Sequence, residues 1–199
     1  MNMLIRRIIN FFRPSAVLVN RKAGSPVDES VIEIDKLNSV MDINHIKTLA
    51  RSLGHDIVSN AVYKKNEKLM KSFNDHATTL RQTVTYLMEK HESKFVNMAE
   101  KISQLESIPD SFLIVADQLF MVGVCNWGRI ATLYAFAACL AKYNTRNHDN
   151  LDFVRTIAET VGNYVSENLT EWIYSQGGWV CKICAFKAIS ISFICIFTL

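Results

Sequence analysis

Acidic residues are missing from the first 27 positions, which hold five Arg or Lys, and the first acid is Asp28. A charge bias confined to one end marks a terminal segment rather than a domain. Disulfide spacing is missing too. The five cysteines fall at irregular intervals and no N-terminal signal with a small-residue cleavage site is apparent. A reducing, cytosol-facing location is therefore expected. The net charge is only +3, with no basic stripe interleaved with aromatics, so the electrostatic footprint of a nucleic-acid binder is absent. There is no nucleophile elbow, no His-Glu-x-x-His and no dinucleotide loop, and the five histidines lack ligand spacing. No enzyme, metal or cofactor is expected from such a chain. Gly123 and Gly128 stand as in a phosphate loop, but Arg129-Ile130 sits where Lys and Ser or Thr are needed. Cys181-x-x-Cys184 has no second Cys or His pair at zinc spacing.

What is present is apolar sequence: 49% of the 199 residues are hydrophobic, enough for one domain with a real core. Its centre is Ser111 to Tyr143. The segment after Gly128 is apolar almost all round, interrupted near its start only by Arg129, and this predicts a helix buried in the middle of a bundle. Asn126 suits the N-cap, and Gly128 leaves room for another backbone. A guanidinium cannot be deprotonated, so Arg129 must find a carboxylate or carbonyl. Two arrangements satisfy it: a binding lip with one fixed positive charge, or an arginine satisfied inside its own fold.

Other helices follow from periodicity. Ile43, Ile46, Leu49, Ala50, Leu53, Ile57 and Ala61 repeat at threes and fours from Asp42, a plausible N-cap. Lysines crowd the connector 64–72, and the next helix begins between Phe73 and Thr79. Pro109-Asp110-Ser111 starts a helix ending near Val122, and Leu151 to Asn168 is amphipathic. Met98 with Ile102, and Val115 with Leu119, are i,i+4 pairs, while Thr132 and Phe136 continue the face that Arg129 opens.

Asn126-Trp127-Gly128-Arg129-Ile130, preceded by Leu119-Phe120 and Gly123, resembles the first homology region of the Bcl-2 family of apoptosis regulators. Glu171-Trp172-Ile173-Tyr174-Ser175-Gln176-Gly177-Gly178-Trp179 resembles the second. The likeness covers roughly 42–182 and implies an all-α bundle around a central buried hydrophobic helix. It further implies a groove for the amphipathic homology 3 (BH3) helix of pro-apoptotic relatives, lined by Met98, Ile102, Val115, Leu119, Asn126, Gly128, Arg129, Thr132 and Phe136. Trp127, Trp172, Gly177, Gly178 and Trp179 would be structural. Ala50-Arg51-Ser52-Leu53-Gly54 is similar to the family's first helix, and Leu80 to Ile102 to the third region and following helix of a pro-survival member. Where that third region has Gly then Asp, this chain keeps the anchors Leu80 and Leu87 but has Val84 then Thr85. Such a helix should be a poor ligand, while Arg129 leaves the chain a good receptor. The family's pore-forming branch is a second resemblance, and a scaffold that binds nothing a third reading.

The expected layout is a basic N-terminal segment and flexible linker over 1–41, a helical domain over 42–187 and a hydrophobic tail over 188–199. Ile5, Ile8, Ile9 and Phe12 alternate with Arg6 and Arg13 in a segment suited to an anionic membrane surface, to targeting, or to a helix returning to the domain. The tail carries no charge from Ala188 to Leu199. It is shorter than the roughly twenty residues of a membrane span, and reaching that length takes in Lys182 and Lys187. The resemblance places the chain at a cytosol-facing membrane, the mitochondrial outer membrane or the endoplasmic reticulum.

Overall fold

Every side chain from Trp127 to Ala141 is buried, and the other helices are arranged around that one. The computed structural model describes residues 29–63, 75–121, 125–146 and 150–179, with only the backbone of 29–41 and 75–77. These residues form seven helices and no strand. They are α1 Glu29–Tyr63, α2 Asp75–Lys90, α3 Glu92–Ser103, α4 Ile108–Phe120, α5 Trp127–Asn144, α6 Leu151–Asn168 and α7 Thr170–Ser175. Helix α5 is the predicted central helix, and α1, α2, α3 and α6 pack round it.

Local chemistry sets most of the helix ends. Asn126 Oδ1 accepts from the Arg129 N–H at 2.9 Å, the predicted N-cap of α5. Asn150 caps α6 through the Phe153 N–H at 3.0 Å. At α4 the Ser107 hydroxyl donates to the Asp110 carboxylate at 2.6 Å and lies 3.4 Å from the Asp110 N–H, two residues before the expected start. The run Leu80 to Ile102 is broken at His91, where φ −120° and ψ 27° turn the chain between α2 and α3.

One expected boundary moves. The helix predicted from Asp42 begins at Glu29, so Asp42 is an interior residue and caps nothing. Between Pro26 and Gly54 there is no proline or glycine to interrupt it.

Helix α1 is held by several unlike contacts. The Tyr134 hydroxyl of α5 donates to the Ala50 carbonyl at 3.0 Å, the Trp179 indole N–H to the Ile46 carbonyl at 3.3 Å, and Arg51 Nε to Asn163 Oδ1 of α6 at 3.0 Å. Arg81 of α2 pairs with Asp56 at 3.3 Å. Glycine lets α1 and α6 meet. A methyl group on Gly54 would stand 2.5 Å from the Ala158 carbonyl oxygen, and one on Gly162 would stand 2.8 Å from the Arg51 Cα. Backbone atoms cannot give way as a flexible side chain does.

Alanine normally stabilises a helix over glycine by up to about 1 kcal/mol. At Gly162 the clash should reverse that sign: Gly162→Ala is expected to destabilise by about 1–3 kcal/mol, the usual cost of overpacking. Urea unfolding of the variant checks it, and a midpoint at or above that of the parent would disprove the close crossing.

The core also fixes a pH limit. Burial pushes the Cys139 thiol up to about 11 from 9.0 and holds the Tyr134 hydroxyl well above its usual range. Both groups are raised in the folded state, so their stabilisation is complete below the unfolded values and drains away as pH climbs through the folded ones. Thermal midpoints should stay level up to about pH 9 and fall above it. Tyr134→Phe should unfold at a lower temperature at neutral pH and show a shallower alkaline decline.

Candidate functional site

The first turn of α5 carries the charge that the sequence makes conspicuous. Arg129 is 7% exposed, and its Nη1 donates to the Leu119 carbonyl at 3.0 Å. Leu119 lies in the last turn of α4, where carbonyls lack intrahelical donors. A cation there completes the helix end and opposes its dipole. Burial lowers the Arg129 pKa from its ordinary value, with Cys125 acting the other way. The Cys125 thiol is in turn pushed up to about 12 by burial, against the pull of Arg129, so it stays protonated and unreactive at neutral pH.

The remaining predicted groove residues come from three helices and belong to the interior. Met98 and Ile102 come from α3, Val115 and Leu119 from α4, Thr132 and Phe136 from α5, and all six belong to the buried interior at 6% exposure or less. Phe112 of α4 stacks on Phe136 of α5, with centroids 5.6 Å apart and planes 13° from parallel. The Thr132 hydroxyl donates to the Gly128 carbonyl at 2.8 Å. Gly128 is buried and Asn126 half-buried. The residues are thus buried or half-buried in the core rather than exposed on a lip.

Behind the head of α5 lies an indole cluster. Trp127 meets Trp172 edge-on at 5.2 Å and Trp179 at 5.6 Å. Trp179 is brought back by two successive glycines at positive φ, Gly177 at 86° and Gly178 at 75°, a conformation that side chains resist. The Gly178 N–H reaches the Ile173 carbonyl at 2.9 Å. On α2, Leu80, Val84 and Leu87 form the inward face at 1%, 3% and 4% exposure, while Thr85 faces outward.

Sequence reasoning missed two contacts and left the partner of Arg129 open between a carboxylate and a carbonyl. The acceptor is the Leu119 carbonyl, whose position has no side-chain signature. Phe112 was no groove candidate, although its placement opposite Phe136 secures α4. The Arg81–Asp56 pair joins residues whose nearness only the fold reveals. Among the described residues no His, Cys, Asp or Glu cluster fits a metal ion, and no helix is long and apolar enough to cross a membrane. The basic segment 1–13, the Cys181 and Cys184 pair and the tail 188–199 lie outside the described residues.

Residues 80–179 match the sequence profile of the Bcl-2 family, apoptosis regulator proteins. The Bcl-2-related ovarian killer protein of chicken is 40% identical over 72 residues, covering 36% of this chain and 33% of that relative. The fold is similar to that of a zebrafish pro-survival protein, NRZ, in complex with Bad BH3. The TM-score is 0.67 and the identity 19%, over 74% of this chain and 99% of the other. It is also similar to chicken BOK, with a TM-score of 0.59 and 26% identity, over 72% of this chain and 97% of that one. With the all-helical bundle, the buried central α5 and a profile match spanning both tryptophan motifs, this chain belongs to the Bcl-2 family.

Proposed function

We propose that this protein regulates apoptosis by holding the BH3 helix of a pro-apoptotic relative between α3, α4 and α5, and so restrains permeabilisation of the mitochondrial outer membrane. The observation that carries the reading is Arg129, a buried cation at the head of the central helix that reaches the end of α4. An amphipathic helix with one acid among its apolar anchors has the chemistry to fill such a site. Arg129 pairs with the acid, Asn126 adds a hydrogen bond, and Met98, Ile102, Val115, Leu119, Thr132 and Phe136 take the anchors. The likeness to NRZ, a pro-survival protein seen with Bad BH3, supports it. The protein acts by binding rather than by catalysis, at a cytosol-facing membrane surface of the mitochondrion or endoplasmic reticulum.

Helix α2 argues in the same direction. A donor helix needs a small residue for close approach and an acid after it, and here those positions hold Val84 and Thr85. Valine at the contact and a hydroxyl where a charge is required make α2 a weak ligand for another groove. A second reading, a membrane-permeabilising effector, is favoured by the 40% identity to an ovarian killer protein. It would need α2 to act as a donor.

Titration calorimetry of the full chain with a panel of BH3 peptides tests the receptor reading. At least one peptide should bind, and Arg129→Ala should weaken it by about 1.5–3 kcal/mol, the range for a hydrogen bond to a charged group. Dye release from liposomes separates the two readings: release by the full chain on addition of an activating BH3 peptide would put the effector first.

A further inference from the structure

One cavity in the bundle is lined by none of the predicted groove residues. It holds about 170 Å³, is partly open to solvent, and lies where the end of α2 and the start of α3 face the C-terminal end of α5. Its deepest residue is Cys139, which is 6% exposed. Half-buried Met88, Val96 and Tyr143 line its sides. Its exposed rim is charged, with Glu89 and Glu92 from the α2–α3 side and Lys142 and Arg146 from the α5 side.

Helical spacing accounts for the grouping. Cys139, Lys142 and Tyr143 stand at i, i+3 and i+4 on α5, and Glu92 and Val96 at i and i+4 on α3. The turn at His91 brings Glu89 and Glu92, from two helices, to one rim. Arg146 lies over the Tyr143 ring, 5.0 Å from its centroid. The thiol feels the charges around it: burial raises the Cys139 pKa to about 11, Arg146 and Lys142 oppose the rise, and Glu92 adds to it. At that value the thiol is a packing surface rather than a nucleophile. Among the described residues none of the four rim charges forms a salt bridge. A simple anion would gain from Lys142 and Arg146 but meet Glu89 and Glu92, and a simple cation would face the reverse conflict. A molecule carrying both charges avoids it. The interior suits an apolar group, since a cavity of about 150 Å³ takes a benzene ring.

We propose that this cavity binds a small zwitterion of dipeptide size, with its apolar side chain against Met88, Val96 and Tyr143, its ammonium at Glu89 and Glu92, and its carboxylate at Lys142 and Arg146. The site uses neither Arg129 nor any residue of the proposed groove, so it stands or falls apart from the receptor reading.

Nuclear magnetic resonance titration of the full chain with leucyl-leucine tests this. Saturable shifts should centre on the amides of Met88, Val96 and Cys139. The N-acetylated dipeptide lacks the ammonium and the C-amidated one the carboxylate, and each should bind about two- to fivefold more weakly, the range of an exposed ion pair. Glycylglycine, with the same charges and no apolar side chain, should not saturate the site. Glu89→Gln with Glu92→Gln should weaken leucyl-leucine and abolish the penalty of acetylation, because the two changes remove one interaction. Lys142→Gln with Arg146→Gln should do the same for amidation. All four positions are exposed, and unchanged cross-peaks elsewhere show that the variants are folded. No saturable shift at these residues with leucyl-leucine overturns the proposal. Equal affinity for the charged and the blocked dipeptides overturns it too, since the cavity would then be apolar space indifferent to its rim.

Discussion

A guanidinium that keeps its proton under all ordinary conditions sits at the head of the helix round which the others are wrapped. Removing it from water carries a cost of several kcal/mol unless donors are matched to acceptors. Helix α4 therefore has to end where it does, with a last-turn carbonyl aimed at Arg129. Asn126 has to cap α5 so that the arginine leaves the first turn in that direction. Phe112 then has a partner in Phe136 because the end of α4 is fixed. One charge thus sets the relative position of two helices before any ligand is considered.

The other side of α5 is organised by a different necessity. Tyr134 carries a hydroxyl into a fully buried site, and a buried hydroxyl needs an acceptor. The carbonyls of a continuous helix are already engaged with its own N–H groups, yet each has a second lone pair. Ile46 and Ala50, one turn apart on α1, use theirs for Trp179 and Tyr134. Helix α1 can reach both donors only because Gly54 and Gly162 bring it against α6. Small residues at one point and polar tips at two others make the same contact, and none of them is replaceable by hydrophobicity alone.

Much of this is legible in the sequence because one physical cause acts over a short span. The nearly all-apolar run after Arg129 announces α5, Asn126 its cap, and the 3.6-residue repeat announces α6. The two glycines before Trp179 signal a reversal. Legibility fails where the cause lies elsewhere. The start of α1 rests on the absence of breakers between Pro26 and Gly54 rather than on periodicity, so the first apolar repeat at Ile43 is a false beginning. The predicted groove residues have the same composition whether they line an open groove or a closed one, and only the position of α4 distinguishes the two. Backbone acceptors such as the Leu119 carbonyl are invisible by nature.

The indole of Trp179 bonds to the carbonyl of Ile46, 133 positions earlier in the chain. During synthesis α1 emerges well before three of the residues that fasten it, Tyr134, Asn163 and Trp179, although Arg81 follows it more closely. Contacts so distant in sequence form late and slowly. The first described helix therefore keeps part of its apolar face unpaired until nearly the whole domain has been made, a window in which a chaperone has more to protect than the finished fold reveals.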